Sequence, residues 1–312
     1  MAPLIVRRIL LMVPNVILIT GLLFWGVSGL LGSPAGMMLG EDADLEAIAA
    51  LNAKYGFDRP IHEQYLSWVW NALQGDFGRS FTTQQSIADA VLPRIPASLE
   101  LAGWAILLAT LCATVLNSIP VARKALGAFN TGLGIVGITV PNFMLGISLI
   151  FLFSVKLGWL PTSGWVDWSE GAGKHLRYMI LPVVTLSAFY FGAFTMVYRA
   201  EYRAISRQLF IKVARAKGLS EWRVSFKHTL PNSILPVITY IGLSLGQLTG
   251  GAVVTETVFS IPGIGRLFVF SITSHDFPVM LAIGVIIIVG VMAMNLVADI
   301  LYTVINPQIR LD

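Results

Sequence analysis

Cysteine occurs once in 312 residues, at Cys112, so an intrachain disulfide framework is excluded and packing must hold the chain together. Charge is also scarce: Asp, Glu, Lys and Arg make up 12 % of the chain against 55 % hydrophobic residues, a balance that a single soluble core does not bury. The net charge of +4 is spread over separate polar intervals without interleaved aromatics, which argues against nucleic acid as a partner. There is no Gly-x-x-x-x-Gly-Lys-Ser/Thr phosphate loop, so ATP is not bound by that route. His62, His175, His228 and His275 stand in separate segments and give no metal-ligand spacing. His62-Glu63 begins like a zinc-protease helix, but Leu66 occupies the place of the second ligand. Gly242-Leu-Ser-Leu-Gly246 spells a nucleophile elbow, yet it lies in an apolar stretch rather than at a strand-turn-helix, so an intramembrane hydrolase acting through Ser244 is disfavoured. An ion-coupled carrier needs several ionisable groups in mid-span, whereas Glu256 and Asp299 lie near the ends of apolar runs.

What the chain does have is long apolar runs. Six blocks approach the ~20 residues needed to cross a bilayer: Ile9 to Leu31, Ala97 to Ile119, Phe129 to Val155, Tyr178 to Tyr198, Ile234 to Thr255 and Val279 to Ile305. The first is too long for a cleaved signal peptide. Six crossings put both termini on one side. Of the 21 Lys and Arg residues, 13 fall in the intervals on the side of the termini and 7 on the other, so the termini are expected in the cytosol. Residues 32 to 96 are then external. Their pattern predicts one helix closed near Gly56 and a second over Ile61 to Leu73, with Tyr65, Trp68 and Trp70 suited to a membrane-water interface. Pro141-Asn142 interrupts the third block, and Gly242, Gly246, Gly250 and Gly251 give the fifth a small face for close helix packing. Asn142 and Glu256 interrupt otherwise apolar runs and are the candidates for a polar pathway through the membrane. Glu100, at the start of the second block, fits a structural role at the outer interface.

The longest polar interval between two apolar blocks in the second half, Arg199 to Pro236, carries eight of the basic residues. Tyr202, Ile205, Leu209, Val213 and Ala216 recur at three- and four-residue spacing and predict one helix with an apolar stripe. Gly218 is placed to stop it and Ser220 to cap a second short helix ending before Pro231. The product is a helix-glycine-helix elbow.

Val-Ala-Arg-Ala-Lys-Gly-Leu-Ser (213 to 220), followed by His-Thr-Leu-Pro-Asn-Ser-Ile-Leu-Pro (228 to 236), resembles the EAA loop of ABC importer permeases of the dipeptide and oligopeptide branch. Val213 stands where the motif's name has Glu. Lys-Tyr-Gly-Phe-Asp-Arg-Pro (54 to 60), Gly-Asp-Phe-Gly-Arg-Ser (75 to 80), Leu-Pro-Thr-Ser-Gly (160 to 164), Phe-Ser-Ile-Pro-Gly-Ile-Gly-Arg (259 to 266) and Asn-Pro-Gln-Ile-Arg (306 to 310) are similar to that family too, so the resemblance covers nearly the whole chain.

The resemblance implies an all-α integral membrane protein with the type I ABC importer permease fold: a first span within 1–31, a small helical periplasmic insertion over 32–96, and a core of five spans over 97–312 containing the coupling loop 199–233. It implies that Ala214, Arg215, Ala216, Lys217, Gly218, Leu219 and Ser220 form the coupling element that docks on an ATPase. The chain would be a non-catalytic subunit of a bacterial inner-membrane importer. Its partners would be a second homologous permease as a heterodimer, two ABC ATPases that carry the ATP and Mg, a periplasmic solute-binding protein and membrane lipid. The expected solute is a di- or oligopeptide, with glutathione, a nickel chelate, an opine or an oligosaccharide as alternatives.

Overall fold

The computed structural model describes residues 2–30, 34–39 and 44–305. Glu41 and Asp42, whose charge suits the N-terminus of the first helix after the first apolar block, and the tail 306–310 lie outside them, as does the side chain of Asp299. The fold is all-helical: among the described residues there is no strand, only an isolated bridge between Arg79 and Ser86. In chain order the α-helices are α1 (Ala2–Leu30), α2 (Pro34–Leu39), α3 (Leu45–Tyr55), α4 (Ile61–Leu73), α5 (Ile87–Val91), α6 (Ile95–Ser118), α7 (Pro120–Thr139), α8 (Asn142–Leu149), α9 (Ala172–Ser206) and α10 (Leu209–Ala216). They continue with α11 (Glu221–Arg223), α12 (Leu230–Ser233), α13 (Leu235–Phe259), α14 (Ile264–Thr273) and α15 (Phe277–Ile305). Three helical stretches are long and apolar enough to cross a membrane, or up to five when each bent pair counts as one span, so the expected six is not reached among the described residues.

The chain divides into two compact units. One combines residues 1–96 with 263–293. Here α3 begins at Asp44, whose carboxylate accepts from the Glu46 amide, and ends at Gly56 in the left-handed region at φ +73°, as its sequence predicts. α4 has the predicted bounds. Tyr65 donates to the Ile17 carbonyl at 2.9 Å and its ring meets Phe24 edge-on, so this aromatic serves packing between α4 and α1, while Trp70 stays exposed. Asp276 is buried and collects three donors: the Ser80 hydroxyl, the Phe81 amide at 3.0 Å and the Thr82 amide at 3.4 Å. A buried carboxylate needs such partners, and these fix the residues after the Gly-Asp-Phe-Gly-Arg-Ser motif.

The second unit combines residues 97–262 with 294–312. α9 is its centre, packed against α7, α8 and α13. Small residues allow this. A Cβ on Gly192 would lie 2.2 Å from the Gly134 carbonyl oxygen, and one on Gly137 would lie 2.2 Å from that of Ala188, so α7 and α9 meet backbone to backbone. Of the fifth block's glycines, Gly251 faces Leu186 and Asn142, where a Cβ would lie 3.2 and 3.5 Å from their side chains, while the side-chain positions of Gly246 and Gly250 lie outside the described residues. The third block is not one helix: Val140 turns to extended backbone (φ −79°, ψ 125°) before Pro141, and the two halves meet at 113°. A proline disfavours helical geometry in the residue before it and lacks an N–H to carry the ladder on.

Near the start of α9, His175 is fully buried, with Nδ1 2.6 Å from the Val166 carbonyl and Nε2 2.9 Å from Glu100 Oε1. Trp168 stacks on its ring and donates to the same Glu100 oxygen at 3.0 Å. Glu100 thereby ties α6 to α9 and to the loop before it. In that loop the Asp167 carboxyl is held below its ordinary range, first by the Ser169 amide and then by the Ser169 hydroxyl.

Candidate functional site

The residues from 199 to 236 form the elbow that the sequence predicts, built somewhat differently. α9 ends at Ser206, and Gln208 is extended (φ −63°, ψ 151°), so α10 starts afresh at Leu209. This break resets the helical phase. Tyr202, Ile205, Leu209, Val213 and Ala216 therefore do not share one buried stripe. Ile211 and Ala214 point inward instead, packing with Val224 and flanked by Ile205 and Leu219, while Leu209 is 74 % exposed and Phe210, Val213 and Trp222 are exposed as well. The elbow thus has a small core of its own and an apolar outer face.

Gly218 sits at φ +78° and donates its N–H to the Arg215 carbonyl at 2.9 Å. A Cβ there would meet nothing within 4 Å, so glycine is required by the backbone conformation and not by crowding within the chain. Ser220 caps α11 by accepting from the Arg223 amide at 3.4 Å. Across the turn Arg215 holds Glu221 with two hydrogen bonds of 2.7 and 3.3 Å. The bond to Glu221 raises the Arg215 pKa further, so the guanidinium is charged at every working pH. Both partners are substantially exposed, so the pair contributes at most about 1 kcal/mol. Lys217 and Ala216 are exposed beside it.

Helical geometry does not stop before Pro231. A π-helical turn over Val224–Thr229 runs into α12, which contains the proline. The wider turn and side-chain donors accommodate the missing N–H: Thr229 Oγ1 donates to the Val224 carbonyl at 3.1 Å and Asn232 Nδ2 to that of His228 at 2.7 Å.

Ser118, Tyr198 and Ser225, to which the sequence assigns no role, and Tyr202, which it places in the apolar stripe, bolt the elbow to the helices. Ser118 donates its proton to the Thr114 carbonyl and Ser225 donates to the Ser118 carbonyl. Each serine oxygen then accepts from a tyrosine, Tyr198 onto Ser118 and Tyr202 onto Ser225. All four are buried, so each hydroxyl is costly to leave unpaired. Two tyrosines four apart, where an apolar helix turns basic, were the available signal.

The other candidates lie apart from the elbow. Asn142 is half-buried at the start of α8, close to Gly251. Glu256 is fully buried, with the Ser98 hydroxyl donating to it at 2.6 Å. Ser244 is buried and donates to the Tyr240 carbonyl at 2.7 Å, a bond internal to α13. Among the described residues no cluster of His, Cys, Asp or Glu could hold a metal ion.

Comparison with known proteins accounts for the whole chain. Residues 105–311 match the family described as "Binding-protein-dependent transport system inner membrane component", and residues 1–102 match the N-terminal family of the same membrane components. A peptide transport system permease protein of Brucella abortus is 34 % identical over 319 residues, covering 100 % of both chains. The glutathione transport system permease protein GsiC of Escherichia coli K12 is 35 % identical over 310 residues, covering 98 % of each.

Proposed function

Because the chain belongs to the family of binding-protein-dependent transport system inner membrane components, and so is a permease subunit of an ABC system rather than an enzyme, we propose that it carries di- or oligopeptides. We further propose that it is driven through the elbow at 209–220. The carrying observation is the exposed apolar face of Leu209, Phe210, Val213 and Trp222 on an elbow with its own buried core. A soluble loop gains nothing by exposing four large apolar side chains, whereas a docking surface does. On this reading the elbow faces the cytosol with both termini, in agreement with the basic-residue asymmetry. Two ATPase subunits hold ATP and Mg, a second homologous permease completes the pathway, and a periplasmic binding protein delivers solute. The ATPase pushes on the outer face; the Ile211, Ala214 and Val224 core passes the force inward; the Tyr202 to Ser225 and Tyr198 to Ser118 bonds pass it to α9 and α6. Asn142 would contribute to the pathway from its half-buried position at the start of α8, and Glu256 only on rearrangement of α13, since it has no exposed surface here.

The glutathione-transporting relative favours one alternative solute, itself a small peptide. Titrating the partner binding protein with tripeptides and glutathione separates the two readings.

The docking test uses Val213→Asp, on the outer face, beside Gly218→Val, which strains the turn by about 1–2 kcal/mol. Both should cut co-purifying ATPase about tenfold and uncouple ATP hydrolysis from uptake, with permease insertion unchanged. Ala214→Asp is a harsher change than its neighbours, because it buries a carboxylate in the elbow's own core. If Val213→Asp and Gly218→Val keep wild-type ATPase recovery and uptake, the elbow is not the docking element.

A further inference from the structure

Behind the elbow, a pocket of about 310 Å³ is lined by Asn117, Arg199, Arg203, Ser206, Arg207 and Arg215, together with the ring of Tyr202. We propose that this pocket binds a phosphate group that carries or adjoins a free hydroxyl, the chemistry shared by a phosphatidylglycerol headgroup and hydrogen phosphate. Arg199, Arg203 and Arg207 follow at intervals of four and so lie along one face of α9 and its cap, with Arg215 facing them from α10. Like charges four apart on a helix repel, and the compensation in the chain is small. Glu221 is already engaged twice by Arg215. Arg199 spends its guanidinium on the Gly127 carbonyl and the Thr131 hydroxyl. Among the described residues neither the Arg203 nor the Arg207 guanidinium has a carboxylate or hydrogen-bond partner.

Two buried polar atoms say what else the occupant offers. The Ser206 hydroxyl, a donor, and the Asn117 side-chain carbonyl, an acceptor, have no partner, although Asn117 is only 1 % exposed and its amide donates to the Ala113 carbonyl. Orphaned buried groups of this kind are uncommon. Guanidiniums and a hydroxyl donor suit phosphate oxygens; the lone carbonyl acceptor needs a donor on the ligand, and beside four arginines a neutral O–H suits it better than a cationic ammonium. The volume lies at the lower end for ligand pockets, about 300–1,000 Å³. The pocket also stands where the apolar part of α9 gives way to its basic end, the level of lipid phosphates beside a membrane span. An occupant would bridge α6, α9 and α10 and so stiffen the elbow's seat. Nothing here depends on which solute is carried.

The test uses the purified full-length protein in neutral detergent. One arm follows dioleoyl phosphatidylglycerol against dioleoyl phosphatidylcholine by native mass spectrometry; the other follows thermal midpoint against inorganic phosphate at constant ionic strength. At least one phosphatidylglycerol should be retained preferentially, or phosphate should raise the midpoint; the first result names a lipid as the source and the second a soluble anion. Arg203→Gln/Arg207→Gln should weaken the observed binding about tenfold, and Lys174→Gln, at the far end of α9, should leave it unchanged. Should the double variant fail to fold, Ser206→Ala serves, with an expected loss of about threefold. Equal retention of both lipids together with no response to phosphate overturns the proposal. So does binding that the variants leave intact.

Discussion

Pro141 and Pro182 stand in consecutive apolar blocks and do opposite things. At Pro141 the third block breaks into two helices at 113°, whereas α9 runs through Pro182 for 35 residues. Local chemistry differs little. Ile138-Thr139-Val140 ahead of Pro141 is β-branched throughout and gives up helix readily, but Ile180-Leu181 ahead of Pro182 is only a little better. Burial decides. In α9, 61 % of the most apolar stretch is buried, with backbone contact to α7, so bending it would part helices over a long face. α8 and the turn after it are largely exposed on the flank that a membrane or a second subunit would cover. A proline breaks a span where nothing outside holds it straight.

If packing carries α9 across its proline, separating α9 from α7 should have the largest effect. Gly192→Ala places a Cβ 2.2 Å from the Gly134 oxygen and 2.8 Å from Ile138 Cγ1, and Gly137→Ala meets the Ala188 oxygen in the same way. Each should cost about 1–3 kcal/mol and lower the thermal midpoint in detergent by several degrees. Wild-type midpoints would show that the two helices can part freely and that the argument from burial fails.

A smaller effect sharpens the contrast. Pro182→Ala restores an N–H for the Tyr178 carbonyl in a helix that already exists and should stabilise by about 1–2 kcal/mol after the loss of the buried ring methylenes. Pro141→Ala has no helical hydrogen bond waiting and should change stability by less than about 0.5 kcal/mol. Equal shifts in the two chemical-denaturation midpoints would remove the distinction between them.

The smallest effect concerns the loop that enters α9. Because the Asp167 pKa is lowered by Ser169, its contribution is present above the unfolded value of about 3.9 and is lost as pH falls through the folded value. Asp167→Asn should therefore lower the thermal midpoint slightly at pH 7, and the difference from wild type should vanish as pH falls through the folded value. A gap that persists in acid would assign the loss to packing instead.

Much of this was legible beforehand, for local reasons. Gly218 and Ser220 announce the turn and its cap because positive φ and N-capping are properties of single residues. Gly56 and the bounds of α4 follow from the same kind of signal. The buried side of α10 was not legible, because Leu209, Phe210, Ile211, Val213 and Ala214 put apolar groups on both flanks, and periodicity cannot tell a face kept for the chain from one kept for another protein. The seat of His175 was missed for a different reason. Its ligand Glu100 is 75 positions away, and scattered histidines carry no spacing to read. The Gly137 and Gly192 contact is likewise a meeting of two helices that neither helix declares alone.

The place of that contact along α9 sets a mechanical ratio. Gly192 stands about 30 Å from Ala172 and about 21 Å from Ser206 at ~1.5 Å per residue. A rigid rod pivoting there has unequal arms, so a shift imposed at the elbow end emerges at the His175 end reversed in sense and enlarged about 1.4-fold. A displacement of 3 Å at the short arm, roughly two residues of helical rise, would swing the long arm by about 4 Å. On the proposed reading, a small step taken at the elbow would thus be geared up before it reached the far end of α9.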